Sequence, residues 1–169
     1  MISKKIILVG DFSTGKTSLI RRFVDNQFSD AYLSTIGVKI SRKEIDVDGI
    51  VVQGLIWDIE GGTETKPVTE TYIMGAHGAI LVADITRKET IESIATYIKI
   101  VNRVSPAVPV ILVLNKSDKL SEADRQKVYG YAKESYSELG EHIYLTSAKS
   151  GEGVGRMFEA IARLMLKEE

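Results

Sequence analysis

Residues Gly10-Asp11-Phe12-Ser13-Thr14-Gly15-Lys16-Thr17 follow the apolar run Ile6-Ile7-Leu8-Val9. They match the pattern of Gly, four free positions, Gly, Lys, then Ser or Thr. A strand-like run before the loop and a helix read over Lys16–Val24 supply the context this pattern needs. Such a turn aims backbone N–H groups and a helix N-terminus at one point, where they hold phosphate oxygens. Lys16 adds a cation for the β- and γ-phosphates, and the Thr17 hydroxyl a ligand for Mg²⁺, with Ser18 in the same turn of helix. The alternative is a glycine-rich turn that joins strand to helix without a ligand. The reading is a nucleoside triphosphate site.

A second constellation, Asn115-Lys116-Ser117-Asp118, follows the apolar run Val110–Leu114. In an open parallel sheet, ligands gather beyond the carboxyl ends of the strands, so this tetrad and the first loop share a rim. A carboxylate at Asp118 accepts from both N1–H and the exocyclic amine of guanine, which adenine does not offer in that geometry. Asn115 would tie the base loop to the phosphate loop, and the Lys116 stem would cover a ring face. Ser147-Ala148-Lys149, after the last strand-like run, would present N–H groups to the guanine carbonyl oxygen. A surface turn is the plain reading of the tetrad taken alone.

The elements that must position these residues alternate along the chain. Short continuous apolar runs at Lys5–Val9, Ala79–Val82, Val108–Leu114 and Ile143–Leu145 read as strands buried on both faces of a parallel sheet. Between them lie stripes at helical spacing: Ile91, Ile94, Ala95, Ile98 and Val101, then Val154, Met157, Phe158, Ile161 and Met165. Ser121 with Asp124 reads as a helix start. Val38–Val47 and Ile50–Trp57 flank Asp48-Gly49, which predicts an antiparallel hairpin. The expectation is a mostly parallel sheet with one antiparallel edge and helices on both faces. Gly61–Thr71, containing Pro67, reads as irregular.

At 169 residues the chain is the size of one domain, spanning 1–169. Its net charge of -1 makes no electrostatic case for nucleic acid or an anionic membrane, and pairs such as Arg21-Arg22 read as solvated faces. It has no cysteine, which excludes disulfides and thiolate sites and fits a cytoplasmic location. It has no run of about 18 apolar residues to cross a membrane.

With these motifs in this order, the sequence resembles a small GTPase of the Ras superfamily, most closely the Rab branch, along essentially its whole length. Ser34-Thr35-Ile36-Gly37-Val38 is similar to the Rab switch I segment, and Trp57-Asp58 to the opening of switch II. Gly75-Ala76-His77-Gly78-Ala79-Ile80-Leu81-Val82 is similar to the Rab strand entry. The resemblance implies a three-layer α/β P-loop NTPase fold (a G domain) with a six-stranded sheet. It implies GTP and GDP as ligands, with Mg²⁺ held by Thr17, Thr35 and, through a water, Asp58. Phe28 would pack against guanine and Tyr32 would cover the phosphates, unless both are simple loop packing. The N–H groups of Thr35 and Gly61 would grip the γ-phosphate. Effectors and regulators would then read switch I (27–38) and switch II (58–71), with Ile36, Val38 and Trp57 as apolar contacts, although Trp57 serves equally as a hairpin core residue.

Three departures bear on mechanism. Ile59-Glu60-Gly61-Gly62 stands where the family has Thr-Ala-Gly-Gln, so Gly62 takes the place of the water-orienting Gln. Phe12 replaces a small residue beside the γ-phosphate and would hinder an arginine finger. Slow hydrolysis is therefore expected, with Glu60 or Glu64 either reaching the attacking water or standing as solvated loop carboxylates. The chain ends Leu166-Lys167-Glu168-Glu169 without terminal cysteines, so no lipid anchor is expected on it. Two alternatives are a nucleotide-binding interaction module with negligible hydrolysis and a P-loop kinase.

Overall fold

Strand β1 (Ile2–Gly10) begins exposed at Ile2 and Ser3 and is buried from Ile6 onward. The computed structural model describes residues 1–31 and 34–167. After helix α1 (Lys16–Asp25) come β2 (Val38–Val47), β3 (Ile50–Ile59) and β4 (Gly78–Asp84). Helices α2 (Lys88–Glu92) and α3 (Ile94–Val104) lead to β5 (Val110–Asn115). Helix α4 (Glu122–Ser135), β6 (Ile143–Leu145) and α5 (Val154–Lys167) complete the chain.

The six strands lie in the order β2-β3-β1-β4-β5-β6. Only β2 runs antiparallel to its neighbour, because Asp48 and Gly49 both take positive φ (53° and 88°) and close a two-residue hairpin turn. Every other pairing is parallel, so β1, β4, β5 and β6 present their carboxyl ends on one rim. Successive strand residues face opposite ways, which builds two cores. Ile6, Leu8, Ile80, Val82, Ile111 and Val113 pack against α1 and α5. Ile7, Val9, Leu81, Leu112 and Leu114 pack against α2, α3 and α4. The fold expected from sequence is therefore the observed one.

Two details differ from expectation. The stripe read as one helix from Ile91 to Val101 breaks at Ser93, whose hydroxyl donates to the Glu89 carbonyl at 2.9 Å. Competition from such a side chain for backbone groups ends a helix turn. Ala95 is exposed while Tyr97 is buried. Gly61–Thr71 is only partly irregular: Thr63 N–H donates to the Lys66 carbonyl, Val68 is buried, and Glu70–Tyr72 forms a 3-10 turn. The Ser121 cap is present, its hydroxyl accepting from Asp124 N–H at 3.2 Å.

Phe158, wholly buried, stacks on Phe23 with ring centroids 4.0 Å apart and joins α5 to α1. Phe158→Ala is expected to cost about 3–5 kcal/mol of unfolding free energy in urea titrations, with the slope against urea unchanged.

Candidate functional site

The loop after β1 turns sharply at Ser13 (φ 64°) and Gly15 (φ 97°) before α1 begins at Lys16. Gly15 needs both its positive φ and its missing side chain, since a Cβ there would lie 2.3 Å from Asn115 Nδ2. The first turn of α1 carries no acidic residue, so its N-terminal amides and dipole remain available to an anion. Lys16 is buried, and its ammonium donates to the carbonyls of Gly10 and Asp11 at 3.3 and 3.0 Å. Burial pulls its pKa down to about 8; the nearby Asp58 and Asp11 carboxylates oppose that shift, and Arg87 adds to it.

Beside Lys16, three oxygens from three segments converge. Thr17 Oγ1 donates to Asp58 Oδ2 at 2.6 Å and lies 2.5 Å from Thr35 Oγ1, which is 3.3 Å from the same carboxylate oxygen. Burial raises the Asp58 pKa, against hydrogen bonds from Thr17 and the charge of Lys16. Among the described residues, buried Asp58 Oδ1 has no hydrogen-bond partner. An all-oxygen set with an orphaned buried carboxylate oxygen fits a hard divalent cation such as Mg²⁺. Thr35 and Gly61 line a small cleft of ≈ 30 Å³ with Phe12, Ser13, Gly15, Lys16, Thr17 and Ser18.

A larger cavity of ≈ 460 Å³ opens beside it, lined by Ser13, Gly15, Ser18, Phe28, Asn115, Lys116, Asp118, Ala148 and Lys149 among others. Asn115 Nδ2 donates to the Thr14 carbonyl at 3.1 Å, and the Lys116 ammonium donates to the Ser13 carbonyl at 2.9 Å. Ser147 contributes through its hydroxyl, which donates to Asp118 Oδ1 at 2.7 Å. Its own N–H is taken by the Glu152 carbonyl, which corrects the expectation that it faces the base. Arg22 is not a solvated residue: its guanidinium donates to the carbonyls of Ala148 and Lys149 at 2.8 and 2.6 Å and braces that loop.

The segment after β3 lies against the loop after β1. Gly62 N–H donates to the Gly10 carbonyl at 3.1 Å, and Phe12 N–H donates to the Gly62 carbonyl at 3.0 Å. The Phe12 side chain is 43% exposed. Glu60 turns its carboxylate to Gly37 N–H (3.3 Å) and the Lys66 ammonium (3.1 Å), linking the segments before β2 and after β3, and Glu64 is exposed. Trp57 is half-buried beneath the Lys5 ammonium, 3.6 Å from its ring centroid, whereas Ile36 is 86% exposed. Tyr32 lies outside the described residues.

Sequence reasoning missed three residues that build this site. Asp84, buried at the end of β4, receives the Lys116 ammonium at 3.0 Å and Arg87 Nε at 3.2 Å. Burial pushes its pKa up, but hydrogen bonds from Thr86 and Lys116 outweigh it, and the net shift is downward. Arg87 in turn donates to the carbonyls of Phe12 and Ser13, both at 2.9 Å. Tyr97 donates to Asp11 Oδ1 at 2.5 Å. A carboxylate ending an otherwise apolar buried strand was a readable signal for Asp84; Arg87 and Tyr97 gave none.

The model of the Ras family matches residues 5–167. The Ras-related protein Rab-1C of Dictyostelium discoideum is 38% identical over 159 residues, covering 94% of this chain and 78% of that protein. Rab-13 of Canis lupus familiaris is 37% identical over 163 residues, covering 96% and 79%. RABA1c of Arabidopsis thaliana is 42% identical over 115 residues, covering 68% and 53%.

The Lys16 shift has a sign that can be measured. Its folded pKa lies below the unfolded 10.5, so the cost of burying its charge is full below about pH 8 and is relieved as pH rises toward 10.5. In urea unfolding without ligand, Lys16→Met should be more stable than wild type at pH 7.5. That advantage should shrink by about 2 kcal/mol between pH 8 and pH 10.

Proposed function

Because the chain belongs to the Ras family of GTP-binding small GTPases, we propose that residues 1–169 form one domain that switches between GTP and GDP and hydrolyses GTP slowly. The carrying observation is the Asp118 carboxylate, held by Ser147 at the larger cavity, on the same rim as the Thr17–Thr35–Asp58 cluster. Asp118 accepts from the guanine N1–H and amine, Phe28 packs beside the ring, and the amides of Ala148 and Lys149 face its carbonyl oxygen. The amides of residues 13–18 and the Lys16 ammonium hold the phosphates. Thr17, Thr35 and, through a water, Asp58 hold Mg²⁺, which when bound neutralises charge on the β- and γ-oxygens.

The N–H groups of Thr35 and Gly61 take the γ-phosphate, so both switch segments respond to its loss. Effectors and regulators then read residues 27–38 and 58–71, where Ile36 stands exposed; a cytoplasmic setting belongs to the same reading. Slow hydrolysis rests on Gly62, which has no side chain with which to orient water, and on Phe12 at the mouth of the phosphate cleft. Those two residues also favour the second reading, an interaction module that binds nucleotide with negligible hydrolysis. Glu60, engaged by Gly37 and Lys66, lends no support to a replacement base.

Inosine diphosphate lacks the exocyclic amine that Asp118 accepts. GDP is expected to bind roughly 10–100-fold more tightly than IDP, and the gap should fall below about threefold in Asp118→Ala. An adenine preference in the same titration would favour a kinase instead. Single-turnover hydrolysis of GTP with saturating Mg²⁺ should run below about 3 × 10⁻⁴ s⁻¹, roughly the rate of a Ras protein using its Gln without an activating partner. A faster rate overturns the slow-switch reading, and a rate indistinguishable from solution hydrolysis selects the interaction module.

A further inference from the structure

The geometry points to Tyr97 as a positioning residue: its hydroxyl, fixed on Asp11, occupies the space that a side chain at position 62 would need. This inference rests on the GTPase reading above and explains how the site comes to lack a water-orienting group. The backbone of Gly62 is pinned on both sides, its N–H on the Gly10 carbonyl and its carbonyl on Phe12 N–H, as a one-residue parallel bridge to Asp11. Those two bonds set the direction in which a Cβ would leave the chain. It would arrive 2.4 Å from Tyr97 Oη, 3.2 Å from Val68 Cγ2 and 3.4 Å from Tyr97 Cζ. The first distance is far inside van der Waals contact.

Glycine at this position answers a demand for space and not for conformation, since its φ is not in the positive range that favours glycine. The obstructing group is not free to step aside. Tyr97 is 6% exposed, its ring lies in the core beneath β1 and β4, and its hydroxyl donates to Asp11 Oδ1 at 2.5 Å. Moving it would leave the Asp11 carboxylate without that donor and open a gap under the phosphate loop. Burial, reinforced by the Asp11 carboxylate, holds the phenol protonated and so keeps it a donor. Phosphate loop, second switch segment and α3 thus close on one another through three residues, Asp11, Gly62 and Tyr97. The identity of residue 97 decides what residue 62 can be.

A four-protein cycle tests this: wild type, Gly62→Gln, Tyr97→Phe and the double variant. Each is measured for single-turnover GTP hydrolysis and for dissociation of fluorescently labelled GDP. Gly62→Gln alone should change hydrolysis by less than about threefold and speed GDP release, because the new side chain prises the switch segment from the loop. In the double variant the phenyl ring leaves room, so hydrolysis should rise at least about tenfold above Gly62→Gln and GDP release should slow again. A tenfold gain from Gly62→Gln by itself, or an additive cycle, overturns the inference. If Gly62→Gln does not fold, Gly62→Ala with and without Tyr97→Phe reads the same coupling through GDP release, where additivity again overturns it. Wild type that fails to retain labelled GDP would sink the underlying nucleotide-switch reading; retention with an additive cycle sinks the role of Tyr97 alone.

Discussion

The side-chain amide of Asn115 joins the three loops on which the rim depends. Its NH₂ donates to the Thr14 carbonyl, and its oxygen accepts the Thr146 hydroxyl, each at 3.1 Å and with the residue 1% exposed. A buried amide left half-satisfied would cost about 1–3 kcal/mol, so the strand ends of β5 and β6 and the phosphate loop are held at one mutual distance. Gly15 has no side chain because that amide stands where one would be. Parallel pairing brings these strand ends to the same side of the sheet, and Asn115 converts that proximity into a fixed geometry.

Two cations act on the outside of the same loop. Arg87 and Lys116, both anchored on the buried Asp84, draw the carbonyls of Phe12 and Ser13 toward themselves. In a trans peptide plane the carbonyl and the following N–H point opposite ways, so carbonyls turned outward leave the amides of Ser13 and Thr14 turned inward. Amides held in this orientation would meet an anion with little reorganisation. Arg22 braces the third loop in the same manner through the carbonyls of Ala148 and Lys149.

The segments before β2 and after β3 meet the loop after β1 and each other chiefly through backbone groups and short side chains. The segment after β3 meets the loop after β1 through two backbone hydrogen bonds at Gly62, and the segment before β2 meets the segment after β3 through Glu60 and Gly37. Thr35 adds its hydroxyl contacts to Thr17 and Asp58, and buried Val68 seats the second segment on the core. The same closeness that seats Gly62 against the loop removes the room for a catalytic side chain.

Much of this was legible from local spacing alone. The phosphate loop, the Asn115–Asp118 tetrad, the Asp48-Gly49 turn and the Ser121 cap each depend on residues a few positions apart, whose chemistry settles their conformation wherever the chain goes next. Continuous apolar runs implied buried parallel strands, and hence a shared rim. Only the tertiary structure placed Tyr97 on Asp11, Arg87 on Phe12 and Ser13, and Arg22 on Ala148, partners 86, 75 and 74, and 126 positions apart. The helical stripe as read pointed to Ala95 and passed over Tyr97, although Tyr97 lies between Ile94 and Val101 on the same helical face and is the buried one. The sequence alone thus determined which residue types meet on the rim. How tightly each loop is braced, and why position 62 is glycine, was decided by packing between elements far apart along the chain, where side-chain reach and steric exclusion act and spacing carries no information.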